Sequence, residues 1–124
     1  MRRIDANVIL RYVLHDNEIL FEKACEIIDH SEVLIASEVL AEVVYVLQKV
    51  YTIPKVELCE TLQSLLLYQN VKTLDDEVMR SALHLFSDFN LDFVDCILCA
   101  YHQLRGDIVE TFDQGLIRQL EQHR

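Results

Sequence analysis

The stretch "RRIDANVILRYVLH", Arg2 to His15, changes its period in mid-course. "RRID" reads as a very short strand, whereas "ANVILRYVLH" behind it carries Val8, Ile9, Tyr12 and Val13 at helical spacing. Asp5 therefore stands at a strand-to-helix junction.

The same order recurs down the chain. "NEILFEKACEIIDHS" sets Ile19, Leu20, Cys25, Ile27 and Ile28 among charges as an amphipathic helix, and "EVLIAS" follows as a short strand whose Ser37 is placed to cap the next helix. In "EVLAEVVYVLQKVY" the residues Leu40, Val43, Val44, Leu47 and Tyr51 fall on one face, with Val39, Val46 and Val50 widening the apolar surface. Pro54 suits the first turn of "PKVELCETLQSLLLYQ"; "NVKTLD" is a third strand and "DEVMRSALHLFSDF" another amphipathic helix. "DFVDCILCAYHQLR" is a helix stopped by Gly106, "DIVETF" a fourth strand, and "DQGLIRQLEQHR" a final turn and helix. Short strands alternating with helices imply right-handed crossovers, hence a mainly parallel sheet flanked by helices on both faces. The expectation is a three-layer α/β/α domain occupying residues 1–124 as one unit.

Composition narrows the class further. At 52% hydrophobic and 26% charged, with Gly106, Gly115 and Pro54 the strong breakers, the chain is a packed domain and not a disordered one. No apolar run approaches the roughly 20 residues that span a bilayer, and Met1 is followed by "RRID" and not by a leader, so a cytoplasmic location without membrane contact is expected. Cys96 and Cys99 form one C-x-x-C without a second pair or a nearby His, which favours buried helix residues over a zinc site. The formal charge of −10 repels nucleic acid unless metal ions or a local basic patch intervene.

In open α/β sheets ligands bind outside the carboxyl ends of the strands, which draws attention to Asp5 and to Asp113 behind "DIVETF". Each is equally an ordinary helix cap or turn residue. Glu42 lies on a polar stripe with Glu38, Tyr45 and Lys49, and that stripe is suited simply to face water. In "LDFVDCILCA", Asp92 is placed to cap the helix, and Asp95 stands one turn inside among Phe93, Val94, Ile97 and Leu98, where an ionised carboxylate is costly without a counter-ion. A hard divalent cation such as Mg²⁺ or Mn²⁺ meets that need.

Four pieces in order, "IDANVILRYVL", "SEVLAEVVYVL", "LDFVDCILCA" and "ETFDQGL", resemble the motifs of a PIN-domain ribonuclease of the VapC type, the toxin of bacterial and archaeal toxin–antitoxin pairs. The resemblance spans essentially the whole chain. It implies that Asp5, Glu42 and Asp95 are the principal acidic metal ligands, that Asp113 is the fourth, and that Asn7 and Thr111 line the same site. Asp92 matches a position that is often Ser, Thr or Asp at the helix start, so it enters as a cap and supporting residue. Gly115 departs from the pattern, because members often carry a further acid there; this weakens a second metal position more than the first.

By the same resemblance, the activity is Mg²⁺- or Mn²⁺-dependent hydrolysis of RNA, leaving a 5′-phosphate and a 3′-hydroxyl. The partners are an RNA substrate, a small antitoxin protein that wraps the surface, and a second copy in a homodimer. Arg2, Arg3 and Arg11 are candidates for holding phosphates, against a reading as solvated surface charge. Two alternatives remain at this point: a PIN-like binding module without catalysis, and a receiver-like signalling domain. The second lacks both the paired acids after the first strand and the Lys near "VETFDQG" that it requires.

Overall fold

A computed structural model of the chain describes residues 1–122, so His123 and Arg124, included above in the final helix, lie outside the described residues. Three two-residue strands, β1 (Arg2–Arg3), β2 (Val33–Leu34) and β3 (Val71–Lys72), form a parallel sheet in the order β1-β2-β3. Arg2 pairs in register with Val33 and Val33 with Val71, so all three strands begin level. Each hands over directly to helical structure, which aligns their carboxyl ends on one side of the sheet.

Among the described residues seven helices surround this small sheet: α1 (Ala6–Leu14), α2 (Glu18–His30), α3 (Ser37–Lys49), α4 (Lys55–Leu66), α5 (Asp76–Asp88), α6 (Phe93–Arg105) and α7 (Gln114–Gln122). The architecture is the expected mixed α/β fold with a parallel sheet, consistent with three layers. Ile9, Ile28, Val33, Ile35, Leu40, Val43, Leu58, Leu62, Leu83, Cys96 and Cys99 are sealed in one core. Because these residues have no solvent on any side, truncating one of the leucines to Ala costs about 2–5 kcal/mol. α5 and α6 are joined within that core by an edge-to-face contact of Phe86 and Phe93 at 5.8 Å, and Lys55 stands 4.5 Å above the Phe86 ring. Such aromatic pairs add roughly 0.5–1.5 kcal/mol beyond their burial.

Several expectations need correction. "DIVETF" forms no strand: residues 107–113 belong to no helix or strand, and Asp107 is bonded to α6 instead. Gly106 turns the chain in the left-handed region at φ 72°, a conformation that carries no steric penalty for glycine. The returning segment is then held to α6 by the Nδ1 of His102, 2.8 Å from the Asp107 carbonyl oxygen. Ile108 and Phe112 consequently point into solvent, at 85% and 101% exposure, and β1 remains an edge strand. Asp113 thus follows an irregular segment outside the sheet.

The apolar face of α3 is shorter than its pattern suggests, since Tyr51 and Val50 lie past the helix end and are exposed. Ser37 is the first residue of α3 and makes no capping bond; Ala36 occupies the cap position. Cys96 and Cys99 are buried as expected, and burial pushes their thiols up to about 12 and about 11. At neutral pH both stay protonated thiols, without the thiolate character of a reactive cysteine. No helix among the described residues is long and apolar enough to cross a membrane.

Candidate functional site

Three of the candidate acids open helices, and the local backbone explains where each one sits. Asp5 leaves β1 with extended φ and ψ and caps α1, its Oδ1 accepting the Val8 N–H at 3.1 Å. Asp113 does the same for α7, with Oδ1 accepting the Leu116 N–H at 2.8 Å. Its own N–H donates to the Thr111 hydroxyl at 3.1 Å, so Thr111 fixes the turn that presents Asp113. Both cap readings therefore hold, and each leaves one carboxylate oxygen free of the cap.

Asp92 behaves differently. It occupies the N-cap position of α6 with extended geometry, yet its side chain accepts no capping hydrogen bond. The expected capping role is filled by position and not by a bond, and the exposed carboxylate is left uncommitted.

Asp95, in the first turn of α6, is partly buried and has neither a hydrogen bond nor an ion pair among the described residues. Burial, then the negative charge of Asp113, then that of Asp92, push its carboxyl above the usual value of 3.8. All three causes disfavour the ionised form, the first by desolvation and the others by like-charge repulsion. The apolar enclosure is looser than the sequence suggests, because Val94 is 56% exposed while Phe93 is buried.

Asp95 and Asp92 also line a cleft of about 300 Å³ against α3, where Ala41, Tyr45, Gln48 and Lys49 form the opposite wall. The helical spacing of 41, 45 and 48 turns these residues toward α6. Glu42, one residue round from Ala41, is exposed with Glu38 and does not line the cleft, although Tyr45 and Lys49 of the same stripe do. The sequence places Tyr45 and Lys49 on the polar stripe of α3 and gives no signal for Gln48, so this wall of the cleft is seen only in the structure.

The structure thus brings Asp92, Asp95 and Asp113 into one electrostatic neighbourhood. Asp5 and Glu42 are not among the charges that press on Asp95, and Asn7 lies on α1 beside Val8 and Arg11, facing α2. Among the described residues, no three His, Cys, Asp or Glu side chains are gathered closely enough to hold a metal ion.

The chemistry of the donors nevertheless fits a hard divalent cation. They are carboxylate oxygens, and one is half-buried with no counter-charge and two acids beside it. Gly115 packs close to this group: a Cβ there would lie 3.2 Å from the Asp113 Oδ1, so any side chain would displace that carboxylate by a few tenths of an ångström.

A family model described as the PIN domain matches residues 3–120, nearly the entire described chain. No curated protein and no solved structure matches.

Proposed function

Because the chain belongs to the PIN domain family, a family of nucleases often found in toxin–antitoxin systems, we propose that it is a Mg²⁺- or Mn²⁺-dependent endoribonuclease serving as the toxin of such a pair. The observation that carries the reading is Asp95, a half-buried carboxylate pressed by Asp113 and Asp92 and given no cation by the protein itself. Proteins rarely leave a partly buried charge in such surroundings unless something else supplies the opposite sign.

In this reading Asp95, Asp113, Asp5 and Glu42 would hold the metal. When bound, the cation supplies an activated water and stabilises charge on the departing oxygen. The chain's own task is positioning. The Val8 and Leu116 N–H groups each fix one oxygen of Asp5 and Asp113, leaving the other free of the cap bond. Thr111 holds the turn that carries Asp113, and Asp92 adds negative potential at the mouth. The cleft between α3 and α6 lies against the same carboxylate and gives the substrate a walled approach. We further propose a homodimer, and a small antitoxin that blocks the acidic site.

The test is direct. Purified protein incubated with mixed RNA and Mn²⁺ cuts it, EDTA stops the cutting, and Asp5→Asn lowers the rate on the order of 10²-fold or more, since loss even of residues that only orient metal ligands costs 10- to 100-fold. Cleavage that persists in EDTA, or unchanged in the variant, sinks the assignment.

A further inference from the structure

The chain has ten more acidic than basic residues, yet its cations are not spread evenly. Two hollows, of about 510 and 210 Å³, lie beside α1 and α2 and adjoin at Val8 and Ile27, which line both, as a trough in two parts. The first is edged by Arg2, Arg3 and Asp5, and the second by Lys23 and Arg11. Of these cations Arg11 is already spent, ion-paired to Asp16 at 2.9 Å and bonded to Tyr51. Arg2, Arg3 and Lys23 have no carboxylate partner among the described residues.

The floor between them is apolar, formed by Ile4, Val8 and Ile27. Of the four acids of α2, Glu18, Glu22 and Asp29 surround Cys25 on another face of the helix, while Glu26, three residues on from Lys23, is exposed and makes no ion pair with it. From Asp5 to the level of Arg11 the trough follows α1 for about 9 Å, at 1.5 Å per residue.

Resting on the nuclease reading above, we propose that this trough is the path of the RNA strand, with Arg2, Arg3 and Lys23 contacting successive phosphates as the chain leads away from Asp5. An anionic polymer meets a net-negative protein, so a lane of unpaired cations is where it lies at least cost. The lane ends at Asp5, a candidate metal ligand, as a substrate track requires. The apolar floor suits riboses and base faces between the charged contacts. Arg11, a candidate from sequence, gives up that role to Lys23.

Binding is measured on the full chain in EDTA, where nothing is cut, by fluorescence anisotropy of a labelled single-stranded RNA over a series of salt concentrations. Each phosphate contact contributes roughly 0.7 to the slope of log affinity against log salt for a single strand. The variant Arg2→Gln/Arg3→Gln/Lys23→Gln therefore lowers the slope by about 2 and weakens binding on the order of 10²-fold at 0.1 M salt. The control Lys72→Gln/Arg80→Gln removes exposed charges outside the trough and leaves the slope unchanged.

An unaltered slope in the triple variant overturns the proposal. So does an equal loss in the control, and so does poly-glutamate displacing RNA as well as unlabelled RNA does, which reassigns the trough to an acidic polypeptide. Since no metal is present, the two readings fail separately. Trough-dependent binding without metal-dependent cleavage removes the nuclease and keeps the path; cleavage with trough-independent binding does the reverse.

Discussion

Two acidic clusters sit near opposite ends of α6, and the protein treats them in opposite ways. At the C-terminal end, Asp75 and Glu77 at the start of α5 receive Arg105: its Nε and Nη2 donate to the two oxygens of Asp75 at 2.9 and 2.8 Å, and Nη1 donates to Glu77 at 2.8 Å. Those hydrogen bonds hold the Asp75 carboxyl below its usual value. At the N-terminal end, Asp95 faces Asp113 and Asp92 with no donor and no cation, and its carboxyl is pushed up. The fold thus places an arginine fork against the acidic pair at one end of α6. No such fork reaches Asp95 at the other, and in the proposed reading its oxygen atoms serve a cation from outside.

The largest way to break this contrast is to neutralise one member of each cluster and follow RNA cleavage. Asp95→Asn is expected to lose at least about 10²-fold in Mn²⁺-dependent rate. Arg105→Gln, which strips the other cluster of its cation, leaves the rate within about twofold while lowering the melting temperature. If the two variants lose activity alike, the clusters are not functionally distinct.

A smaller effect separates capping from ligation at Asp5. Asn caps a helix about as well as Asp, so Asp5→Asn leaves stability nearly unchanged, whereas Asp5→Ala loses the bond from Val8 and costs about 1 kcal/mol. Urea unfolding of both variants reads this directly. Equal stability of the two would show that the Val8 bond contributes nothing and that the carboxylate is free to serve elsewhere.

The smallest effect is in pH, where the clusters should move in opposite senses. The Asp95 carboxyl is raised in the folded state, so its ionised form opposes folding above that value, and the penalty disappears as pH falls through it. Without metal, Asp95→Asn is therefore more stable than the parent at pH 7, and the difference closes on acidification. Asp75 is depressed below 3.8, so its contribution is present above 3.8 and is lost as pH falls through the lower folded value. The stability gap between the parent and Arg105→Gln should accordingly persist to about pH 4 and close only below it. Parallel pH dependence of the two gaps would contradict the contrast.

Much of this was legible in the residues because it is local. Helical spacing marks α1 to α7, and Asp5 and Asp113 cap helices as their type and position suggest. What escaped depends on distant partners. "DIVETF" has the composition of a strand, but β1 offers only a two-residue edge, and Gly106 with His102 ties the segment to α6 instead. Asp92 has the right residue type for a cap, yet whether a cap bond forms depends on a side-chain rotation that sequence does not record. The neighbours of Asp95 come from α3 and from beyond α6, joined by packing alone. Arg11 and Lys23 look equivalent as isolated cations, and only the partnership with Asp16 tells them apart.

The central claim is that the bare cluster at Asp95 is a cation site, and calorimetric titration of the metal-free protein with Mn²⁺ tests it most directly. The parent and Arg105→Gln should bind Mn²⁺ with the same affinity, and Asp95→Asn should bind it at least tenfold more weakly while keeping its circular dichroism spectrum. Equal affinity in Asp95→Asn, or no binding to the parent at all, would contradict the account.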